Sequence, residues 1–418
     1  MSAAGGPRGV LVEDAHDARV ARSASGLLGA FNAAGVLEPA DVHVATRVGR
    51  LGGERREEVL LALALAVRAV RLGSVCVELS AVGRTVLGEG DELVDVSALP
   101  WPEPREWLAA CAASPLVASG AGAPDGRPLR LVDGLLYLDR YWRQEEIVRG
   151  ELRARAAAEP PPVDLPRLRS ELDALFTAGN EERQRLAAAV CALRRVTVLA
   201  GGPGTGKTTT VARILALLHA QPGPPPRVAL AAPTGKAAAR LQEAVREAAP
   251  RGPAGARVAQ LSASTLHRLL GWLPGTSRFR HDRHNRLPYE VVVVDETSMV
   301  SLTMMARLLE AVRPDARLLL VGDPDQLASV EAGAVLGDLT RATGRPEPRL
   351  DAALAALGLP GGVENGVVTL RHVFRFEAGI AALARAVQEG DADSAVELLR
   401  AGSADLAFTE TDSPAAPE

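Results

Sequence analysis

Gly201, Gly202, Gly204 and Gly206 surround Pro203 and Thr205 and lead into Lys207, Thr208 and Thr209, in the order GGPGTGKTT. The spacing fits GxxxxGK[ST], a phosphate-binding loop. Glycines open backbone conformations closed to other residues, so successive N–H groups converge on phosphate oxygens. A lysine here adds a full charge for the β- and γ-phosphates, and a threonine hydroxyl a ligand for Mg²⁺. ATP and Mg²⁺ are the expected cofactors. A second acidic signal, Asp295-Glu296, ends the apolar run Val291–Val294. After a phosphate loop, such a pair offers one carboxylate to the metal shell and one to the attacking water. We expect Asp295 on Mg²⁺, partly through water, and Glu296 at the nucleophile. Gln326 follows the run Leu318–Val321 and is placed to contact the γ-phosphate or that water.

These groups need a scaffold that brings strand ends together. Val196–Ala200 reads as a strand running into the loop, and Val211, Ile214, Leu215 and Leu218 mark the following helix. Apolar runs at 228–232, 291–294 and 318–321 then alternate with helical stretches at 236–244, 302–312 and 333–339. Short continuous apolar strands are buried on both faces, as in a parallel sheet covered by helices, and ligands bind at their carboxyl ends. The fold class is α/β. Stretches 222–226, 248–255 and 345–362 read as loops. Upstream, helices are expected at 26–36, 51–72 and 101–113, a strand at 75–79, and two short strands around Asp133-Gly134 before a charged helix. This first part is a mainly helical module of 1–150. Consecutive prolines in Glu159–Val163 cannot continue a helix, and mark a linker over 151–167.

The chain has 418 residues, 47% hydrophobic and 23% charged, with a net charge of −4. That charge gives no global attraction to nucleic acid, so any contact with DNA must come from local patches. Cys76, Cys111 and Cys191 are scattered singly, which implies neither a disulfide framework nor a zinc site. The first residues lack a basic-then-apolar signal, and the longest apolar run, Val59–Val67, is too short to span a bilayer. We expect a cytoplasmic chain with no membrane contact.

Further segments follow in order: APTGKAAARL from Ala232, STLHRLLG from Ser264, VVVVDETSMV from Val291, LVGDPDQLASVEAG from Leu320, and LRHVFRF from Leu370. With the phosphate loop they resemble superfamily 1 DNA helicases of the RecD type, the alpha subunit of exodeoxyribonuclease V. SPLVA from Ser114 and LLYLDRYWRQE from Leu135 resemble that subunit's N-terminal domain. The resemblance implies a RecA-like motor domain over 168–375 and the start of a second over 376–418. It implies that Gln184 reads adenine, and that Pro233, Thr234, Lys236, Thr265 and His267 hold single-stranded DNA. It also implies that Arg375 reaches the γ-phosphate across the cleft between the motor domains. The insertion 272–288 carries Arg278, Arg280, Arg283 and Arg286, two histidines, Trp272 and Phe279. Family members place a small strand-separating element there; a plain surface hairpin fits equally.

Implied partners are RecB-like and RecC-like subunits and single-stranded DNA at a duplex end. The implied activity is ATP-dependent 5′ to 3′ unwinding in double-strand break repair by homologous recombination, with the nuclease on a partner. Beyond Phe376 the sequence shows a helix pair but no TIHKSQG box and no terminal arginine motif, as expected of a truncated gene product or a fragment. Two alternatives stay open: a truncated, non-motor assembly subunit that binds nucleotide weakly, and a stand-alone RecD-like helicase.

Overall fold

The computed structural model describes residues 19–22, 24–85, 96–124, 126–177, 179, 181–326, 331–344, 347–372, 378–402, 406 and 408–409. The chain divides into two compact units, one of residues 1–146 with 330–333, the other of 147–329 with 334–418.

In the first unit, helices Gly26–Ala33, Pro39–Gly52, Glu57–Arg71 and Pro104–Ala112 pack with four short strands: β1 (Cys76–Glu78), β2 (Val117–Ser119), β3 (Leu129–Val132) and β4 (Leu135–Leu138). The sheet order is β1-β4-β3-β2, with β2 and β3 parallel and the other pairs antiparallel. Helix Glu57–Arg71 is apolar on most sides, and Leu61, Ala62, Leu63 and Ala64 are fully buried beside Phe31 and Trp107. Asp133 (φ 50°) and Gly134 (φ 82°) turn β3 into β4, the left-handed pair that a two-residue hairpin requires. The unit is mainly helical, as its sequence suggested, and β2 is the strand that was not expected. What reads as one helix over 51–72 is two, broken at Gly53, where a left-handed glycine (φ 73°) ends the first.

The expected linker is not a separate segment. Helix Asp139–Ala157 runs through its first seven residues, and the units part at 146/147, inside that helix. Glu151 holds Arg155 one turn on, and the Arg155 Nη2 donates to the carbonyls of Leu309 (3.2 Å) and Val312 (2.9 Å). The side chain thereby ties this helix to the C-terminal end of helix Leu302–Ala311. The prolines occupy only the short bend between Ala157 and the next helix, Leu165–Leu175.

The second unit is built on a six-stranded, all-parallel sheet in the order β10-β5-β9-β8-β6-β7. Its strands are β5 (Val196–Gly201), β6 (Val228–Ala232), β7 (Ala263–Thr265), β8 (Val291–Val294), β9 (Arg317–Gly322) and β10 (Val367–Leu370). β8 is buried throughout, each of its four valines at 0% exposure. Fully burying such a side chain stabilises the fold by about 1.5–3 kcal/mol. Two of the three stretches read as loops contain more order, while 222–226 is a loop. Helices Pro253–Val258 and Pro348–Ala356 each begin on a proline at the first helical position. β10 was not expected at all; it closes the sheet beside β5, pairing Leu370 with Gly201. Helices Ala378–Glu389 and Ala392–Ala401 match the expected pair near the end.

Candidate functional site: a phosphate loop and two carboxylate strand ends

All six strands are parallel, so their carboxyl ends share one edge. On it β9 lies between β5 and β8, with Ala200 opposite Gly322 and Val294 opposite Leu320. The loop leaving β5, Asp323 leaving β9 and Asp295 leaving β8 are therefore neighbours by topology. Gly204 (φ 76°) and Gly206 (φ 81°) take the left-handed conformation that lets the loop turn back onto helix Lys207–His219. Thr205 is buried and its hydroxyl donates to the Gly202 carbonyl at 2.8 Å, pinning the crest of the loop. Pro203 and Thr209 are exposed, and Thr208 is half-buried at the helix start.

Lys207 folds over the loop. Its Nζ donates to the carbonyls of Gly201 (2.5 Å) and Gly202 (2.9 Å). Burial lowers its pKa, and the charges of Asp323, Asp295 and Glu296 oppose that shift, in that order. The charges of three carboxylates thus favour the charged form of one ammonium. Asp295 anchors its backbone N–H on the Ala231 carbonyl at 2.9 Å, and burial pushes its carboxyl up to about 6. The Glu296 charge pushes the same way; a hydrogen bond with the Glu296 backbone and the Lys207 charge push back. Glu296 sits at φ 51°, ψ 42°, a left-handed conformation for a residue with a side chain. Gln326 is exposed, and its Oε1 accepts from the hydroxyl of Ser298 at 3.1 Å. Residues 327–330 and Arg375 lie outside the described residues.

The residues fit nucleotide and metal. Gln184 is 5% exposed; its Nε2 donates to the Thr205 carbonyl (3.3 Å), while its Oε1 is buried with no partner. An adenine amino group is a donor of the kind that oxygen lacks. Its helix, Glu182–Leu193, is fastened to the loop helix by Glu181 and Arg213 (2.7 Å). The Thr208 hydroxyl and the Asp295 carboxylate are hard oxygen ligands, and Mg²⁺ takes few such ligands from protein, with phosphate and water filling the rest. Asp323 is the residue that sequence reasoning passed over. It reads as part of a Gly-Asp-Pro turn, but it is 8% exposed and the foremost of the charges facing Lys207. Its position after β9, the strand between the loop and Asp295, is the signal that finds it.

The candidate DNA residues lie further along the same edge, after β6 and β7, which are neighbours with Ala232 opposite Thr265. Thr234 and Thr265 each cap the helix they precede, accepting from Ala237 N and Arg268 N at 3.2 Å. Lys236 and His267 are exposed, and the His267 ring stands 5.9 Å from that of Phe279. Pro233 is half-buried between β6 and that cap. A groove of about 350 Å³ runs past Gly235, Gln242, Arg246, Thr265 and Arg268. The insertion folds back through an antiparallel bridge between Trp272 and Phe279 and leaves Trp272 and Leu273 exposed.

A glycine loop with lysine and hydroxyl after β5, and acid groups after the next two strands along the sheet, β9 and β8, define a P-loop nucleotide-binding domain. Residues 184–332 match the family model described as an AAA domain, and residues 33–137 the model described as "RecBCD enzyme subunit RecD, N-terminal domain". The RecD subunit of the RecBCD enzyme of Mycobacterium tuberculosis (strain CDC 1551 / Oshkosh) is 52% identical over 96% of this chain and 64% of its own length. That of Mycolicibacterium smegmatis (strain ATCC 700084 / mc(2)155) is 53% identical over 92% of this chain and 64% of its own. The ATP-dependent RecD2 DNA helicase of Deinococcus radiodurans is 37% identical over 55% of this chain and 28% of its own. The chain is similar to these RecD subunits over most of its length and spans 64% of theirs. Among the described residues, no helix is long and apolar enough to cross a membrane.

Proposed function

We propose that this chain is the nucleotide-driven helicase subunit of a RecBCD-type complex, moving 5′ to 3′ on single-stranded DNA in double-strand break repair by homologous recombination. The observation that carries the reading is the strand order β5-β9-β8, in which the phosphate loop, Asp323 and the Asp295-Glu296 pair leave adjacent strand ends on one edge of the sheet. Bound ATP with Mg²⁺ supplies a γ-phosphoryl group open to attack by water. Lys207 meets the charge on the phosphates, Thr208 and Asp295 hold the metal, and Glu296 orients the water and takes its proton. Gln184 selects adenine through its unpaired carbonyl oxygen. Arg375 is assigned the charge on the far side of the phosphate, and 376–418 the start of the second motor domain.

Pro233, Thr234, Lys236, Thr265 and His267 would line the path of the strand through the exposed Lys236 and His267 side chains and the backbone N–H groups at two helix starts. Partners of RecB and RecC type, and a place in the cytoplasm, belong to the same reading. The test is ATP turnover stimulated by single-stranded DNA, with the chain in the complex it forms with its partners. Lys207→Ala and Glu296→Gln should each remove this chain's contribution. Turnover unchanged in both variants would overturn the assignment.

A further inference from the structure

The hydrogen bond between Ser298 and Gln326 joins the tips of two neighbouring strands, 28 residues apart in sequence. Both ends of the contact are held. On the β8 side, the Thr297 hydroxyl donates to the Val294 carbonyl at 3.0 Å, and Met299 and Val300 donate their N–H groups to the carbonyls of Glu296 and Thr297 at 3.0 Å each. Ser298, 7% exposed, thus sits in a closed turn that starts at the left-handed Glu296. On the β9 side, the Asp323 carboxylate accepts from Asp325 N at 3.1 Å, and the Asp323 carbonyl from Gln326 N at 3.3 Å. Gly322 leaves no room between the two: a Cβ there would lie 3.2 Å from the backbone nitrogens of Thr297 and Ser298.

A carboxamide has one accepting end and one donating end. The Ser298 hydroxyl engages the accepting Oε1, so the end of Gln326 that faces elsewhere is its NH₂. A phosphate oxygen or a lone pair of water is an acceptor and needs that donor. We propose that Ser298 is a positioning residue that sets the orientation of the Gln326 amide, and through it links the state of the nucleotide to affinity for single-stranded DNA. The inference rests on the nucleotide-motor reading and adds a residue that neither the motif pattern nor the matches assign. Ser298 and Gln326 thereby bridge the turn that begins at Glu296 and the turn that Asp323 closes, so a change at one carboxylate turn is passed to the other.

The experiment measures the affinity of the 418-residue chain for a fluorescent oligo-dT, with and without a non-hydrolysable ATP analogue, alongside affinity for the analogue itself. The wild type is expected to change its oligonucleotide affinity by about fivefold or more when the analogue binds, the usual size of a coupling between sites. Ser298→Ala should bring that factor close to one while leaving analogue affinity within about threefold, and Ser298→Thr, which keeps the hydroxyl, should restore it. Full coupling in Ser298→Ala overturns the inference. So does a wild type that binds the analogue and shows no coupling, or a Ser298→Thr variant that behaves as the alanine. Failure of the motor reading is separate: it shows as analogue affinity that does not depend on Lys207.

Discussion

The Lys207 ammonium donates to the Gly202 carbonyl at 2.9 Å, so the cation of the phosphate loop rests on the loop's own backbone. Two carbonyl contacts and three nearby carboxylates hold a charge that burial disfavours. Taking a charge out of water costs more than such contacts commonly return. Lys207→Ala is therefore expected not to lower Tm, which a thermal melt of the ligand-free chain checks. A fall in Tm would mean the lysine stabilises the fold rather than awaiting a ligand.

Glu296 holds a left-handed backbone (φ 51°) that a side chain resists by roughly 1–2 kcal/mol. Glycine adopts it freely. Glu296→Gly should leave the midpoint of urea unfolding unchanged or higher while abolishing turnover. Strain kept at the residue proposed to orient the attacking water is the pattern expected of a functional site.

Thr234 and Thr265 serve as helix caps whatever else they bind. Losing a cap costs about 1 kcal/mol. Thr234→Ala should therefore lower unfolding free energy by about that amount as well as weaken DNA binding, whereas Lys236→Ala should weaken DNA binding alone. Denaturant titration of the two variants separates the roles.

In the first unit, Glu54 accepts from Arg56 at 2.7 Å, from the Ser114 hydroxyl at 2.7 Å and from the backbone N–H groups of Arg55 and Arg56. The Arg56 side chain is the main cause that holds its carboxyl at about 2, against 4.5 in the unfolded chain, with burial opposing. A carboxyl with a depressed folded pKa stabilises the fold above its unfolded value, and that contribution is lost as pH falls through the folded one. Stability of this unit should drop between pH 4.5 and about 2. Glu54→Gln should be less stable at neutral pH by about 2 kcal/mol and should flatten that part of the profile. An unchanged profile would remove Glu54 as its cause.

The buried strands were legible because β5, β8 and β9 are apolar at consecutive positions, which only two covered faces explain. β7 and β10 were not: Ala263–Thr265 is half-buried along its length, and Val367–Leu370 alternates between half-buried and buried residues. Prolines misled in one consistent way. At Pro253 and Pro348 they open helices, where a missing N–H costs nothing, yet in sequence they resemble loop breakers. The candidate site was legible where one motif holds its parts together, as in the phosphate loop and Asp295-Glu296. Asp323 and Ser298 were not, because their roles arise only when β9 is laid between β5 and β8.

The most direct measurement is calorimetric titration of ATP with Mg²⁺ into the wild type, Lys207→Ala and Glu296→Gln. Wild type and Glu296→Gln should bind with similar Kd, while Lys207→Ala, short of charge-assisted contacts to phosphate, should bind at least about tenfold more weakly. Equal Kd in all three would contradict the account.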